Sequence, residues 1–359
     1  MPFTFPHFGS LKYVFERILL ELGRNDIIMP HKPSKKTSNL GSRYSPEFIC
    51  TPFKITLGTF IEGLERGADE LGMGGCNSFC RFGYYWPVQK LILEDLGYDD
   101  FKFITIDYEN PMQILRAFKG VSNNCTTLQT IRAFRFAWVV NRLTDMVDRI
   151  VFKRRALELE KGASDRTAEK SFSIIREAKK ISDLKKLHKT IPKMFENEVE
   201  IDHKINPVRV AVNGEIYVVI EPSLNLDVIR RLNELGVVVD SPISLRRFID
   251  VPVKLNPFKK EHWDHSIHAS RGYHRFKCGG EAQENLGDAI TYKKQGYDGI
   301  IHLYPFTCMP EIISRSIFPQ VSREHDMPVL SLVVDEQTGE AGFQTRLEAY
   351  IDLLTRRKG

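Results

Sequence analysis

The chain has 359 residues, of which 42% are hydrophobic and 27% charged, as in an ordinary globular protein with enough apolar side chains for a core. Lys and Arg exceed Asp and Glu by 51 to 46, with much of the excess between residues 153 and 193, a balance that does not favour nucleic acid. No apolar run reaches the ~20 residues of a membrane helix, and residues 1–10 lack the pattern of a secretion signal. We therefore expect a cytoplasmic protein of two or three domains, without nucleic-acid or membrane partners.

The N-terminal third alternates between short apolar runs and amphipathic segments. Apolar runs predict strands at residues 3–6, 27–29, 68–73 and 101–106, and helical spacing predicts helices at 11–22, 52–64 and 86–96. This βαβα order predicts a mostly parallel sheet with helices on both faces.

Between residues 125 and 198 the strand signals disappear and apolar residues recur at helical spacing, with a polar break at 161–170. We interpret this region as a helical insert with a solvated basic face, acting as a lid or docking surface. Alternation then resumes, with strands predicted at 208–212, 237–239, 299–303 and 329–334 and helices at 226–235, 282–295 and 343–354. The predicted fold class is α/β: two Rossmann- or flavodoxin-like domains (1–120 and 207–359) with parallel sheets facing across a cleft, plus a helical insert at 121–206.

Four of the six cysteines lie in loops rich in Gly or Pro. Cys50 and Cys308 each precede a predicted helix in a Cys-x-Pro sequence, while Cys76 and Cys80 follow a predicted strand in GGCNSFCRFGYYW. Such loops gather at the carboxyl ends of parallel strands. Helix N-termini also offer N–H groups and positive charge that lower the pKa of a thiol. These positions predict a shared metal centre, shielded from water by the aromatic residues Phe82, Tyr84, Tyr85 and Trp86.

Plainer interpretations stay open beside this one. Buried cysteines are often only small hydrophobic residues, which is our interpretation of Cys125 and Cys278. A zinc site is a further alternative, because His262, His265 and His268 are spaced so that a helix could direct two of them at a metal. An exposed helix face explains these histidines more simply.

Several segments resemble a known family. The sequences YSPEFICTPFK, NGEIYVVIEPSLNLD and above all CRFGYY and PFTCMPE are similar to the 2-hydroxyacyl-CoA dehydratase superfamily. The greatest similarity is to its activase-related branch, whose relatives include the double-cubane cluster proteins. The resemblance covers both predicted α/β domains and leaves out the helical insert.

The resemblance implies an oxygen-sensitive iron–sulfur protein. Dehydratases of this superfamily bind a four-iron four-sulfur cluster through three cysteines and leave one iron open, whereas the double-cubane relatives use six cysteines. Carried over by position, the ligands are Cys50, Cys308 and one or both of Cys76 and Cys80, with Cys80 ranked first. The resemblance also implies a separate ATP-dependent activator of actin-like fold. We expect the chain itself to form a dimer.

The expected function is that of an iron–sulfur electron-transfer or reductase component served by this activator. One alternative is a 2-hydroxyacyl-CoA dehydratase subunit that binds an acyl-CoA substrate at the open iron. Another is a non-catalytic scaffold that binds or stores a cluster. The sequence does not assign catalytic residues.

Overall fold

The computed structural model describes residues 1–75, 80–107, 111–122, 125–253, 260–276 and 278–359. Within these ranges the chain is an α/β protein whose seven strands form two parallel sheets. The strands are β1 (Phe3–Thr4), β2 (Glu70–Gly75), β3 (Lys102–Asp107), β4 (Arg209–Gly214), β5 (Val238–Asp240), β6 (Gly299–Pro305) and β7 (Val329–Val334). No described helix is long and apolar enough to cross a lipid bilayer.

Helices make up most of the remaining structure. The α-helices are α1 (Lys12–Glu21), α2 (Lys35–Tyr44), α3 (Thr51–Glu65), α4 (Tyr85–Asp95), α5 (Pro111–Val121), α6 (Thr127–Arg154), α7 (Ala163–Glu177), α8 (Ile181–Glu198), α9 (Ile216–Ile220), α10 (Val228–Glu234), α11 (Leu245–Val253), α12 (His262–Ser270), α13 (Ala282–Lys294), α14 (Met309–His325) and α15 (Glu340–Lys358). Two 3₁₀ helices cover Gly9–Leu11 and Arg81–Tyr84.

The first sheet has the strand order β1-β2-β3. Three of the four strands predicted in this region are confirmed, but the strand at residues 27–29 is wrong. Only Ile27 pairs, in an isolated bridge with Phe3. The following Pro30 has no N–H group to donate to a neighbouring strand, which explains why the pairing does not extend.

Helix α2 was absent from the sequence-based prediction because its packing is not apolar. It crosses α3 at two glycines, and a Cβ atom added to Gly41 would lie 1.7 Å from the carbonyl oxygen of Lys54. A Cβ at Gly58 would lie 2.1 Å from the carbonyl oxygen of Thr37. The two backbones therefore touch where larger residues would separate them, and no hydrophobic stripe marks the helix.

Helices α6, α7 and α8 follow the first sheet and precede the second sheet along the chain, and they pack against one another. Helix α6 also contacts α1 and β5. The polar break predicted at 161–170 is wrong, because α7 begins at Ala163. The Glu158 carboxylate accepts hydrogen bonds from the backbone N–H groups of Gly162 and Ser164 at 2.7 and 2.8 Å. These bonds satisfy amides at the start of α7, so a polar sequence enters a helix here.

The division of the chain into three domains stays a prediction.

The second sheet has the strand order β5-β4-β6-β7, and its four predicted strands are confirmed. The order reverses between β4 and β6, as in doubly wound sheets of Rossmann type. In such sheets a crevice opens at the carboxyl ends of the two strands that flank the reversal. Here β4 ends at Gly214 and β6 at Pro305.

A buried ion pair joins α11 to α13. The Arg247 guanidinium donates to the Asp288 carboxylate at 2.8 Å, and the two side chains are 1% and 0% exposed. Burial alone would raise the pKa of Asp288, but Arg247 and His262 hold that pKa at about 2. The pair is therefore ionised inside the protein.

We expect Asp288→Asn to lower the free energy of unfolding by about 3 to 5 kcal/mol, because it leaves the Arg247 charge buried without its partner. Urea unfolding measures the change. The control is Glu65→Gln, which removes an exposed partner of Lys36 at 3.5 Å and should cost less than about 1 kcal/mol. Equal effects of the two substitutions would contradict the expectation.

Candidate functional site

A cavity of about 270 Å³ lies at the carboxyl ends of strands from both sheets. It is lined by side chains that follow strands of each sheet: Phe5 after β1, Cys80 after β2, Glu215 after β4 and Cys308 after β6. Cys50 also lines it. The cavity therefore includes the reversal point of the second sheet, where doubly wound proteins bind ligands.

Cys50 and Cys308 occupy equivalent positions in the two halves of the chain. Each has an extended backbone and is the N-cap of its helix, α3 or α14, with a proline in the first turn. Each is 7% exposed. The first N–H groups of a helix point out of its N-terminus, so both thiols lie beside backbone donors and partial positive charge. The Cys-x-Pro sequences therefore mark helix starts, as predicted.

Cys80 is the N-cap of the 3₁₀ helix Arg81–Tyr84, which leads directly into α4, and it is half-buried. Cys76 lies outside the described residues. Cys125 and Cys278 do not line the cavity: the Cys125 thiol donates to the carbonyl oxygen of Leu22 at 3.2 Å, and the Cys278 thiol contacts a neighbouring carbonyl. The five described cysteines form no disulfide with one another.

Arg81 connects the two loops that precede the buried cysteines. Its guanidinium donates to the carbonyl oxygen of Phe48 at 2.8 Å and also to that of Thr307. Phe48 and Thr307 both have left-handed backbones, with φ of 58° and 67°, which costs energy for residues with a Cβ. The Thr307 hydroxyl donates to the Phe48 carbonyl oxygen at 2.8 Å as well. One side chain next to Cys80 therefore positions the approaches to Cys50 and Cys308.

Two of the four aromatic residues predicted to surround the site line the cavity, and the other two do not. Phe82 and Tyr85 line the cavity, with their rings 5.3 Å apart. The Tyr85 hydroxyl lies 2.6 Å from the sulfur of Cys50. Tyr84 is 72% exposed, and Trp86 packs towards Phe103 instead of the cavity. The prediction for Tyr84 and Trp86 is wrong because successive helical residues point in different directions.

Three glutamates that the sequence analysis did not nominate also line the cavity: Glu215, Glu281 and Glu311. The Glu215 carboxylate accepts from the amides of Tyr217 and Val218 at 3.1 and 2.9 Å, and burial raises its pKa to about 7. Their positions in the sequence could have indicated two of these glutamates, because Glu215 directly follows a strand and Glu311 lies in the first turn of a helix.

Glu281 is 6% exposed, and its Oε1 atom has no hydrogen-bond partner in the described part of the chain. Burial raises the pKa of this carboxyl well above its usual range, although Arg247 opposes the shift. The Oε1 atom of Glu281 therefore has hydrogen-bonding capacity available to a ligand in the cavity.

Burial also governs the thiols. It raises the pKa of Cys50, against the hydrogen bond from Tyr85, and raises the pKa of Cys308 well above its usual range, together with the charges of Glu311 and Glu215. The expectation that helix N-termini lower the pKa values of these thiols is wrong for the chain without a bound group, where both pKa values are raised. Desolvation outweighs the helix dipole, which stabilises charge at a helix end only modestly.

Among the described residues, no three His, Cys, Asp or Glu side chains are placed to bind a single metal ion. Two of the three α12 histidines, His265 and His268, lie on an exposed helix face, which is the simpler of the two interpretations given for them. His262 lies 3.3 Å from a carboxylate oxygen of Asp288. The histidine zinc site is therefore not assembled in this structure.

A scan of the chain against protein-family models finds no matching family, and a search of curated proteins finds no match. The assignment of a function therefore depends on the geometry of the cavity.

We expect Arg81→Lys to loosen both loops, because an ammonium group lacks the planar fork that reaches two carbonyl oxygens. Hydrogen–deuterium exchange should quicken at residues 48–51 and 305–309, and the free energy of unfolding should fall by about 1 to 3 kcal/mol.

The matched control is Arg66→Lys, because Arg66 donates to one carbonyl oxygen, that of Met29, at 2.8 Å. Exchange at residues 305–309 should not change in this control. If Arg81→Lys also leaves exchange there unchanged, Arg81 does not hold the two loops together.

Proposed function

We propose that this chain is an iron–sulfur protein whose cluster is bound by Cys50, Cys80 and Cys308, and that it acts as an electron-transfer or reductase component. The observation that supports this proposal is the meeting of three thiols from distant parts of the chain in one cavity. In this proposal the two α/β halves face each other across that cavity.

The residues present fit a cluster. Each of the three cysteines is an N-cap, so backbone N–H groups near the thiols can donate to sulfur and offset negative charge. In a cluster each thiolate binds a different iron, so its ligands need not surround one ion as the donors of a mononuclear site must. A four-iron cluster with three protein ligands suits this set, and Cys76 is the candidate for a fourth.

The nearby acids are compatible with a negatively charged group. Burial raises the pKa of Glu215 to about 7 and that of Glu281 well above its usual range. A raised pKa reduces the negative charge that a carboxyl places beside thiolates, and in its protonated form the carboxyl offers an O–H donor.

A bound cluster would supply one-electron transfer at a potential set by its hydrogen bonds and its exposure to water. The chain contributes the surroundings. Phe82 and Tyr85 limit the access of water, and Arg81 keeps the loops of Cys50 and Cys308 in register. We further propose a separate ATP-dependent activator of actin-like fold as electron donor, a dimeric state, and the helical insert at 121–206 as a docking surface or lid.

A second candidate function is that of a 2-hydroxyacyl-CoA dehydratase subunit. The observation that favours it is the cavity itself, which offers space beside the thiols and beside the Glu281 Oε1 atom, which has no hydrogen-bond partner among the described residues. Titration with acyl-CoA by calorimetry separates the candidates, because an electron carrier has no need to bind the substrate. A scaffold without a cluster would be colourless after anaerobic purification.

We expect Cys50→Ala, Cys80→Ala and Cys308→Ala each to lose iron, sulfide and the brown colour after anaerobic reconstitution, because each removes one of three ligands. Cys76→Ala should have an intermediate effect. Iron and sulfide analysis with visible absorption measures the outcome.

Cys125→Ala is the matched control and should keep its iron, since Cys125 does not line the cavity. Cys278→Ala should also keep it. Full iron content in both Cys80→Ala and Cys308→Ala would refute the cluster assignment. Loss of iron in all six variants would instead support a double-cubane cluster.

A further inference from the structure

The cavity extends beyond the thiols into a region between α1, α5 and α6. We call this region the apolar arm; it is lined by Val14, Phe15, Ile18, Phe118, Ala137 and Trp138, among others. Aromatic rings form much of its wall, since Trp138 stacks on Phe134 with ring centroids 6.1 Å apart and planes inclined by 18°. None of the described side chains that α1, α5 and α6 contribute to the cavity is ionisable.

Protein interiors are close-packed and leave few voids larger than a water molecule. The cavity of about 270 Å³ is large enough to hold a single ring or a short chain as well as water. Apolar cavities stay dry and bind small apolar molecules. The apolar arm therefore has the lining of a ligand site, within a cavity large enough for a small ligand.

One polar side chain interrupts this lining. Asn141, on α6, lines the cavity and is 1% exposed. Neither its Nδ2 nor its Oδ1 has a hydrogen-bond partner among the described residues. One turn further on, Thr144 is buried too, but its hydroxyl donates to the Val140 carbonyl oxygen at 3.0 Å. A buried amide with no partner is unfavourable for folding and calls for an explanation.

We propose that the apolar arm binds an uncharged small molecule made of one ring or a short chain, with a hydroxyl or amide group that exchanges hydrogen bonds with Asn141. Such a ligand satisfies both atoms of the amide and fills the space beside the aromatic wall. A charged ligand does not suit the arm, because none of the described side chains that α1, α5 and α6 contribute there can act as its counter-ion. The site does not depend on the cluster proposal, since it uses none of the cysteines.

The test compares p-cresol with p-xylene, which has a methyl group in place of the hydroxyl. Calorimetric titration of the full chain should show at least tenfold tighter binding of p-cresol. In Asn141→Leu, which keeps the branched shape and the number of side-chain heavy atoms and removes the amide, this preference should disappear. The thermal stability of the unliganded Asn141→Leu variant should stay equal or rise, because an unpartnered buried amide is gone.

The matched control is Thr144→Val on the same helix face, which removes a hydroxyl that does not line the cavity. It should keep the preference for p-cresol. Iron content is measured in each sample, so that a failure of the cluster proposal is seen separately. Two results would overturn the ligand site. One is no binding of either compound at millimolar concentration, in which case buried water is the partner of Asn141. The other is an unchanged preference for p-cresol in Asn141→Leu.

Discussion

The hydrogen bonds of Arg81 are the interaction on which the candidate site depends. Its guanidinium joins the carbonyl oxygens of Phe48 and Thr307, two residues held in the left-handed region of backbone space. These residues precede Cys50 and Cys308, whose helices belong to different halves of the chain. Arg81 itself follows Cys80. A single planar cation thus positions three thiols, and its fixed geometry limits how far the loops can move apart.

Burial sets the chemistry of the cavity. Burial keeps water from Cys50, Cys308 and Glu215, so the pKa values of these three groups rise in the absence of a bound cation. A multivalent metal group would reverse this balance by stabilising the thiolates, since metal ligands must lose their protons. The helix N-termini beside the cysteines are too weak to do so alone, but they become useful once negative charge is present.

The two ends of the cavity suit different chemistry. One end carries the thiols, the glutamates and the Tyr85 hydroxyl, while the other carries aromatic side chains and the single amide of Asn141. Both ends open into the same space between the carboxyl ends of strands from two sheets. A redox group and a small uncharged molecule could therefore occupy neighbouring positions without competing for side chains.

The sequence alone determined the elements whose cause is local. Apolar runs predicted most strands, and the Cys-x-Pro sequences predicted two helix starts, because a proline in the first turn acts within a few residues. Tertiary structure decided what depends on distant partners: Arg81 meets Thr307 across 226 residues, and α2 rests on a glycine contact with α3. The roles of Glu281 and Asn141 were likewise invisible, because an unpartnered polar atom is defined by its surroundings and not by its neighbours in the chain.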